Sequence, residues 1–230
     1  MAHATWSSRY LLGAALAGVL SLVACKDGVV TFTGGTASLR VFNAQTKTGA
    51  LDIVADSVRV LSALGNGILS NSFNVPSGTY VLLEAYSAEP NQTLRIASQR
   101  YVMADKQSYT VIVRGATITD FLRPIVDTVT SPFPDQAAIK VINATEETFV
   151  SLLANDSVLG TPIVDAQTVM PFARHAPGTF RFRVLDSDRN EQIGADSTVV
   201  LERGACYYLF VYDLPSGSSL VQRWFLWKVQ

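Results

Sequence analysis

Sliding the chain past itself by 100 residues lays SLRVFNA (38–44) over AIKVINA (138–144). The same shift lays ADSV (55–58) over NDSV (155–158) and PSGTY (76–80) over APGTF (176–180). A further pair, SYTVIVRG (108–115) and CYYLFVYD (206–213), aligns after a slip of two residues. One gapless offset held from 38 to 80 marks a tandem duplication, and a duplicated chain is constrained to two units of one architecture. The joint is TSPFPDQA (130–137), where two prolines fix φ and remove backbone donors to give a semi-rigid connector. The copies are expected over residues 37–130 and 136–230, with 131–135 as the linker.

Each copy reads as strand. In GTFRFRVLD (178–186), Phe180, Phe182 and Val184 face one way while Arg181 and Arg183 face the other, the period-two pattern of a half-buried strand. In YTVIVRG (109–115), Tyr109, Val111 and Val113 alternate with Thr110, Ile112 and Arg114. Turn signals such as GNG, PSG, APG and ERG break these runs, and Gly78 and Gly178 fall where a positive φ is expected. No long helical periodicity is present. Roughly seven strands in about 95 residues predict an all-β fold of two tandem immunoglobulin-like β-sandwich domains. The Cys…Trp…Cys spacing of antibody domains is missing.

The first 24 residues read as a signal peptide. Arg9 precedes an apolar run from Tyr10 to Ala24, about 15 residues against the roughly 20 that span a bilayer. Leu22-Val23-Ala24-Cys25 resembles a bacterial lipobox, which makes Cys25 the lipid attachment residue and 25–36 a lipidated cysteine with its spacer. Each buried methylene of an acyl chain adds about 0.8 kcal/mol, so two or three chains hold a protein stably. Lys26, where an aspartate commonly retains a lipoprotein at the inner membrane, favours the outer membrane, facing periplasm or cell surface. Cys206 is then left without a disulfide partner and is expected to be buried. Removing the leader takes away Arg9 and no acid, so 18 basic side chains become 17 against 19 acidic ones, a net charge of −2. That balance gives no electrostatic case for nucleic acid.

LRVFNA, LDIVADSV, VPSGTYVLLEA and SYTVIVRG together resemble the bacterial domain of unknown function 4397, found in exported proteins. The resemblance covers both copies and is strongest in the first; in the second, LDIVADSV becomes SLLANDSV, with Leu152 in place of an acid. It implies a β-sandwich and no catalytic residues.

His175 is the one histidine outside the leader, so a histidine-rich metal site is not expected and His175 reads as a turn residue. The candidate acids are Asp52, Asp56 and Asp156. Asp52 and Asp56 lie four apart, on one face of a continuous strand, where calcium could be held, although Asp-Ser at a strand end more simply closes a turn. Asn43 and Asn143 read as turn residues ending the first strand of each copy. The C-terminal VQRWFLWKV (221–229) puts Phe225 and Trp227 on one face, with Trp224 and Leu226 opposite. It is expected to close the second sandwich and to pack on the first; a sharper alternative exposes Trp224, Phe225 and Trp227 to a glycan or partner. The expectation is a non-catalytic, lipid-anchored envelope module for adhesion, scaffolding or binding, with no cofactor. Its partners would be the membrane through its lipid and an envelope protein or glycan. Carbohydrate binding, assisted by calcium, is the alternative.

Overall fold

The computed structural model describes residues 34–89, 94–115, 122–127 and 131–229. The leader, Cys25 and the spacer through Thr33 lie outside the described residues. All regular structure among those described is strand. The first copy contributes β1 (Thr36–Gln45), β2 (Ala50–Ala55), β3 (Val58–Gly65), β4 (Phe73–Pro76), β5 (Tyr80–Ser87), β6 (Arg95–Val102), β7 (Ser108–Gly115) and β8 (Leu122–Val126). The second contributes β9 (Ala137–Asn143), β10 (Val150–Ala154), β11 (Ser157–Val158), β12 (Thr168–Val169), β13 (Ala173–His175), β14 (Gly178–Asp186), β15 (Glu191–Leu201), β16 (Cys206–Ser216) and β17 (Ser219–Lys228).

The two halves share one strand order. Sheets β4-β1-β7-β8 and β3-β2-β5-β6 in the first are answered by β12-β9-β16-β17, with β13 also on β9, and β11-β10-β14-β15 in the second. In both, the opening strand lies parallel to the next-to-last strand of its half, β1 to β7 and β9 to β16. Proportions are those of an immunoglobulin domain, but the parallel pair at the centre of one sheet gives an order of its own.

Each sandwich encloses a core. Leu39, Val41, Leu51, Ile53, Leu83 and Val111 fill the first, and Ile139, Val150, Leu152, Phe182, Val184 and Leu209 the second. A third cluster joins them: Phe42, Ile112 and Ile125 from the outer face of the β1 sheet meet Ile142, Tyr208 and Phe210 from the outer face of the β9 sheet. The layers therefore stack face to face, with the β1 and β9 sheets inside. Sheets covered on both sides need apolar residues at every position, not at alternate ones. That is why seven consecutive residues of β9 and the first six of β16 are almost wholly buried, whereas β14 alternates.

The gapless 100-residue offset is correct for the opening strands, where Leu39 and Val41 match Ile139 and Val141. It fails one loop later. Leu51, Ile53 and Ala55 are buried in β2, and their counterparts in β10 are Val150, Leu152 and Ala154, an offset of 99. The pairings agree, since Ala55 faces Leu83 and Ala154 faces Phe182. The first loop of the second copy is thus one residue shorter. A one-residue slip exchanges the two faces of a strand, so the counterpart of Asp52 is Ser151 and not Leu152. The hairpin turns move with it: Asp56-Ser57 in one copy and Asn155-Asp156 in the other, all four at positive φ, as two-residue hairpin loops of the I′ kind require.

Candidate functional site

Strand β17 carries the aromatic cluster singled out by sequence, and alternation sorts it as expected. Trp224 and Leu226 pack on the core of the second sandwich, while Phe225 and Trp227 turn to the seam between sandwiches. There Phe225 stacks on Phe210 with centroids 4.9 Å apart and planes 14° from parallel. Phe42 of the first sandwich meets Phe210 at 4.7 Å, Tyr212 at 5.3 Å and Phe225 at 5.4 Å. Trp227 lies edge-on to Tyr208 and beneath the Arg40 guanidinium, 4.9 Å from its centroid. Each aromatic pair adds about 0.5–1.5 kcal/mol beyond its buried area. Gly67 completes the contact: at φ +70°, a Cβ there would lie 2.5 Å from the Tyr212 ring. Trp224, Phe225 and Trp227 each pack against protein and stay half-buried, and Trp224 also borders an open cleft.

Charged groups line one side of this seam. Asp127, just past β8, is 4% exposed. Its Oδ1 accepts the Thr110 hydroxyl at 2.8 Å, and its Oδ2 lies 3.7 Å from Arg40 Nη1 without a hydrogen bond. Burial raises the Asp127 pKa, against the Thr110 bond and the charges of Arg40 and Lys140. Lys140 sits over the rings of Phe172 and Tyr208, and burial lowers its pKa, opposed by Cys206 and Asp127. Cys206 is free and fully buried, and burial pushes its thiol up, the opposite of the electropositive setting that activates a nucleophile. Asp213, also buried, has a raised pKa although Glu146 N and Gln222 donate to it.

A carboxyl whose pKa is higher folded than unfolded binds its proton more readily in the native state. Its stabilising protonation is complete below the unfolded value and is lost as pH rises through the folded one. Lowering the pH from about 7 to about 5 is therefore expected to strengthen the Asp127 contribution. Urea titrations of wild type and Asp127→Asn at the two pH values should show a smaller gain in the variant. Equal gains would remove Asp127 as a source of pH dependence.

The three candidate acids are not brought together. Asp52 accepts from Ala63 N at 2.9 Å and pairs with Arg59 at 3.4 Å, both on the β3 side. Strand β2 ends at Ala55, so Asp56 leaves the face it was expected to share with Asp52. Its carboxylate accepts from Leu82 N on the β5 side at 2.8 Å. In the second copy Asn155 takes that part, accepting from Arg181 N at 2.8 Å. Asp156, one place on, pairs with Arg181 at 2.6 Å and Arg183 at 2.5 Å. Among the described residues no three metal-ligating side chains gather. His175 lies in β13 and not in a turn; its ring stands edge-on to Phe180 at 4.1 Å, and Nδ1 is 2.9 Å from the Ala176 carbonyl.

Asn43 and Asn143 do more than end a strand. Both are almost fully buried. The Asn43 amide donates to Leu64 O, and that of Asn143 to Thr148 O, Val164 O and Asp165 O, all at 2.8–3.0 Å. Their oxygens accept from Gln45 N and Thr145 N. Each is a polar bolt between its opening strand and the following loops.

A cleft of about 710 Å³ opens where the edges of β15 and β17 converge, with Gly194, Val199, Tyr207, Trp224, Leu226 and Lys228 in its lining. Gly194, at φ +67°, faces the Trp224 indole across this cleft, and the positive φ is what favours glycine there.

No curated protein matches the chain. Among solved structures, the tip fimbrial protein Mfa3 from Porphyromonas gingivalis, with C-terminal truncation, aligns at 11% identity over 84% of this chain and 98% of that one, with a TM-score of 0.24. Residues 37–149 match the family described as "Domain of unknown function (DUF4397)", so the first sandwich and the opening strand of the second carry one domain of that family.

Proposed function

We propose that this chain is a lipid-anchored module of the cell envelope that acts as a scaffold or adhesion element and performs no chemistry of its own. The observation that carries this reading is the seam. It joins the two sandwiches through aromatic packing, and the connector adds to it, since Ser131 N donates to Gly204 O and Arg203 pairs with Asp135. A pair of domains locked in this way suits holding a surface at a fixed setting, because relative domain motion is otherwise the default. The lipobox reading of Cys25 supplies the tether, and its spacer leads into β1. The second copy is read as a diverged member of the same family as the first, given the shared strand order.

The tether is tested by Cys25→Ser in the native host. Wild type is expected in the membrane fraction and to resist a high-salt wash, while the variant is expected in the soluble fraction. A variant as firmly membrane-bound as wild type would end the lipid-anchor reading.

A further inference from the structure

We propose that β17 is a dimerisation edge, pairing antiparallel with β17 of a second copy of this chain. An edge strand presents unpaired N–H and C=O groups, and proteins blunt such edges by shortening them, bulging them or placing proline in them. Strands β11, β12 and β13 are two or three residues long and β4 is four. Strands β3, β6 and β15 carry register shifts in their pairing. Strand β17 has none of these features: it runs ten residues in unbroken register with β16 and contains no proline.

The first copy shows what a closed edge looks like at the same position. Parallel pairing sets Val41 opposite Val111 and Val141 opposite Leu209, and across the next ladder Val111 faces Pro124 while Leu209 faces Leu226. Pro124 and Leu226 are therefore equivalent. Asp127 N donates to Ser108 O, and Val229 N to Cys206 O. Because antiparallel ladders alternate bonded and non-bonded pairs, the backbones of Val126, Pro124 and of Lys228, Leu226, Trp224, Gln222 and Leu220 all point away from their sheets. In β8 the missing proline N–H lies on the open edge, where proline is tolerated and blocks pairing. In β17 the same position offers an amide.

A second copy fits this edge. A two-fold axis at Trp224 sets Trp224 against Trp224 of the other copy, Gln222 against Leu226, Leu220 against Lys228, and Arg223 against Phe225. No like charges meet, and an aromatic pair forms at the axis. A formal net charge of −2 with the leader removed opposes association little. The cleft between β15 and β17 leaves room beside the edge.

The test is the mass of the full chain, purified in mild detergent, by sedimentation equilibrium with detergent density matching. Wild type is expected to dimerise reversibly with concentration. Leu226→Pro, which copies the proline at Pro124, is expected to be monomeric with an unchanged far-ultraviolet spectrum. Leu220→Lys provides a second variant at a 40% exposed side chain, safe for folding, and sets lysine against Lys228 twice. It is expected to weaken the dimer about tenfold, with recovery at high salt. A wild-type monomer at every concentration, or a dimer indifferent to Leu220→Lys, would overturn the proposal. So would edge amides that stay protected from exchange in a monomer, since another segment would then cover them.

Discussion

Phe42→Ala is expected to lower the free energy of unfolding by about 3–5 kcal/mol, the usual range for a fully buried phenylalanine. The loss has two parts. One is the transfer energy of a ring that is 0% exposed; the other is the void left among Phe210, Tyr212 and Phe225, which are held by their own strands and cannot collapse into it. Phe42 also makes three aromatic contacts across the seam, so the variant is expected to change the form of the transition. Wild type should unfold in one cooperative step by calorimetry, and the variant in two, as each sandwich melts alone. A single transition with less than about 1 kcal/mol lost would show that Phe42 does not couple the halves.

Asn143→Ala is expected to cost about 2–4 kcal/mol, because it removes the amide's bonds to three carbonyls and leaves the buried Thr145 N–H without its acceptor. Three carbonyls converge on its amide, that of Thr148 from before β10 and those of Val164 and Asp165 from after β11. Asn143→Asp is the sharper probe. It keeps the shape but replaces a donor with an acceptor, aiming a carboxylate at carbonyl oxygens. Its folded pKa would be raised, so the variant should be least stable at neutral pH and recover as pH falls and the group protonates. Urea midpoints at about pH 7 and about pH 4.5 check this. A variant as stable as wild type at both would mean that water replaces the amide.

Much of the fold is legible because it follows from local pattern. Alternation in GTFRFRVLD gives a strand with one wet face, and β14 has one. Gly78 and Gly178 sit at turn signals, and both have positive φ. The stacking of the sandwiches also leaves a trace, in CYYLFV and AAIKVIN, where apolar residues run on without alternating; a strand reads so when both faces are covered. The partner that covers it is a matter of long-range packing, which no local pattern names.

The candidate site is less legible. Placing Asp52 and Asp56 on one face assumes a strand running through both, but two positive-φ residues turn the chain at Asp56. Matching letters at ADSV and NDSV conceal the missing loop residue; only burial at Ala55 and Ala154 exposes the slip. Asn43 and Asn143 are visible as strand ends, yet their burial depends on loops some 20 residues away in sequence. For β17 the alternation is right, and the letters allow both a seam and a platform.

The stacked arrangement makes each half the cover of the other's outer face. A gene trimmed to either half would leave Phe42, Ile112 and Ile125, or Tyr208, Phe210 and Phe225, facing water as an adhesive patch. Aggregation thus penalises any separation of the halves. With the two outer faces turned into an interior, sequence change is tolerated best in turns, edges and loops.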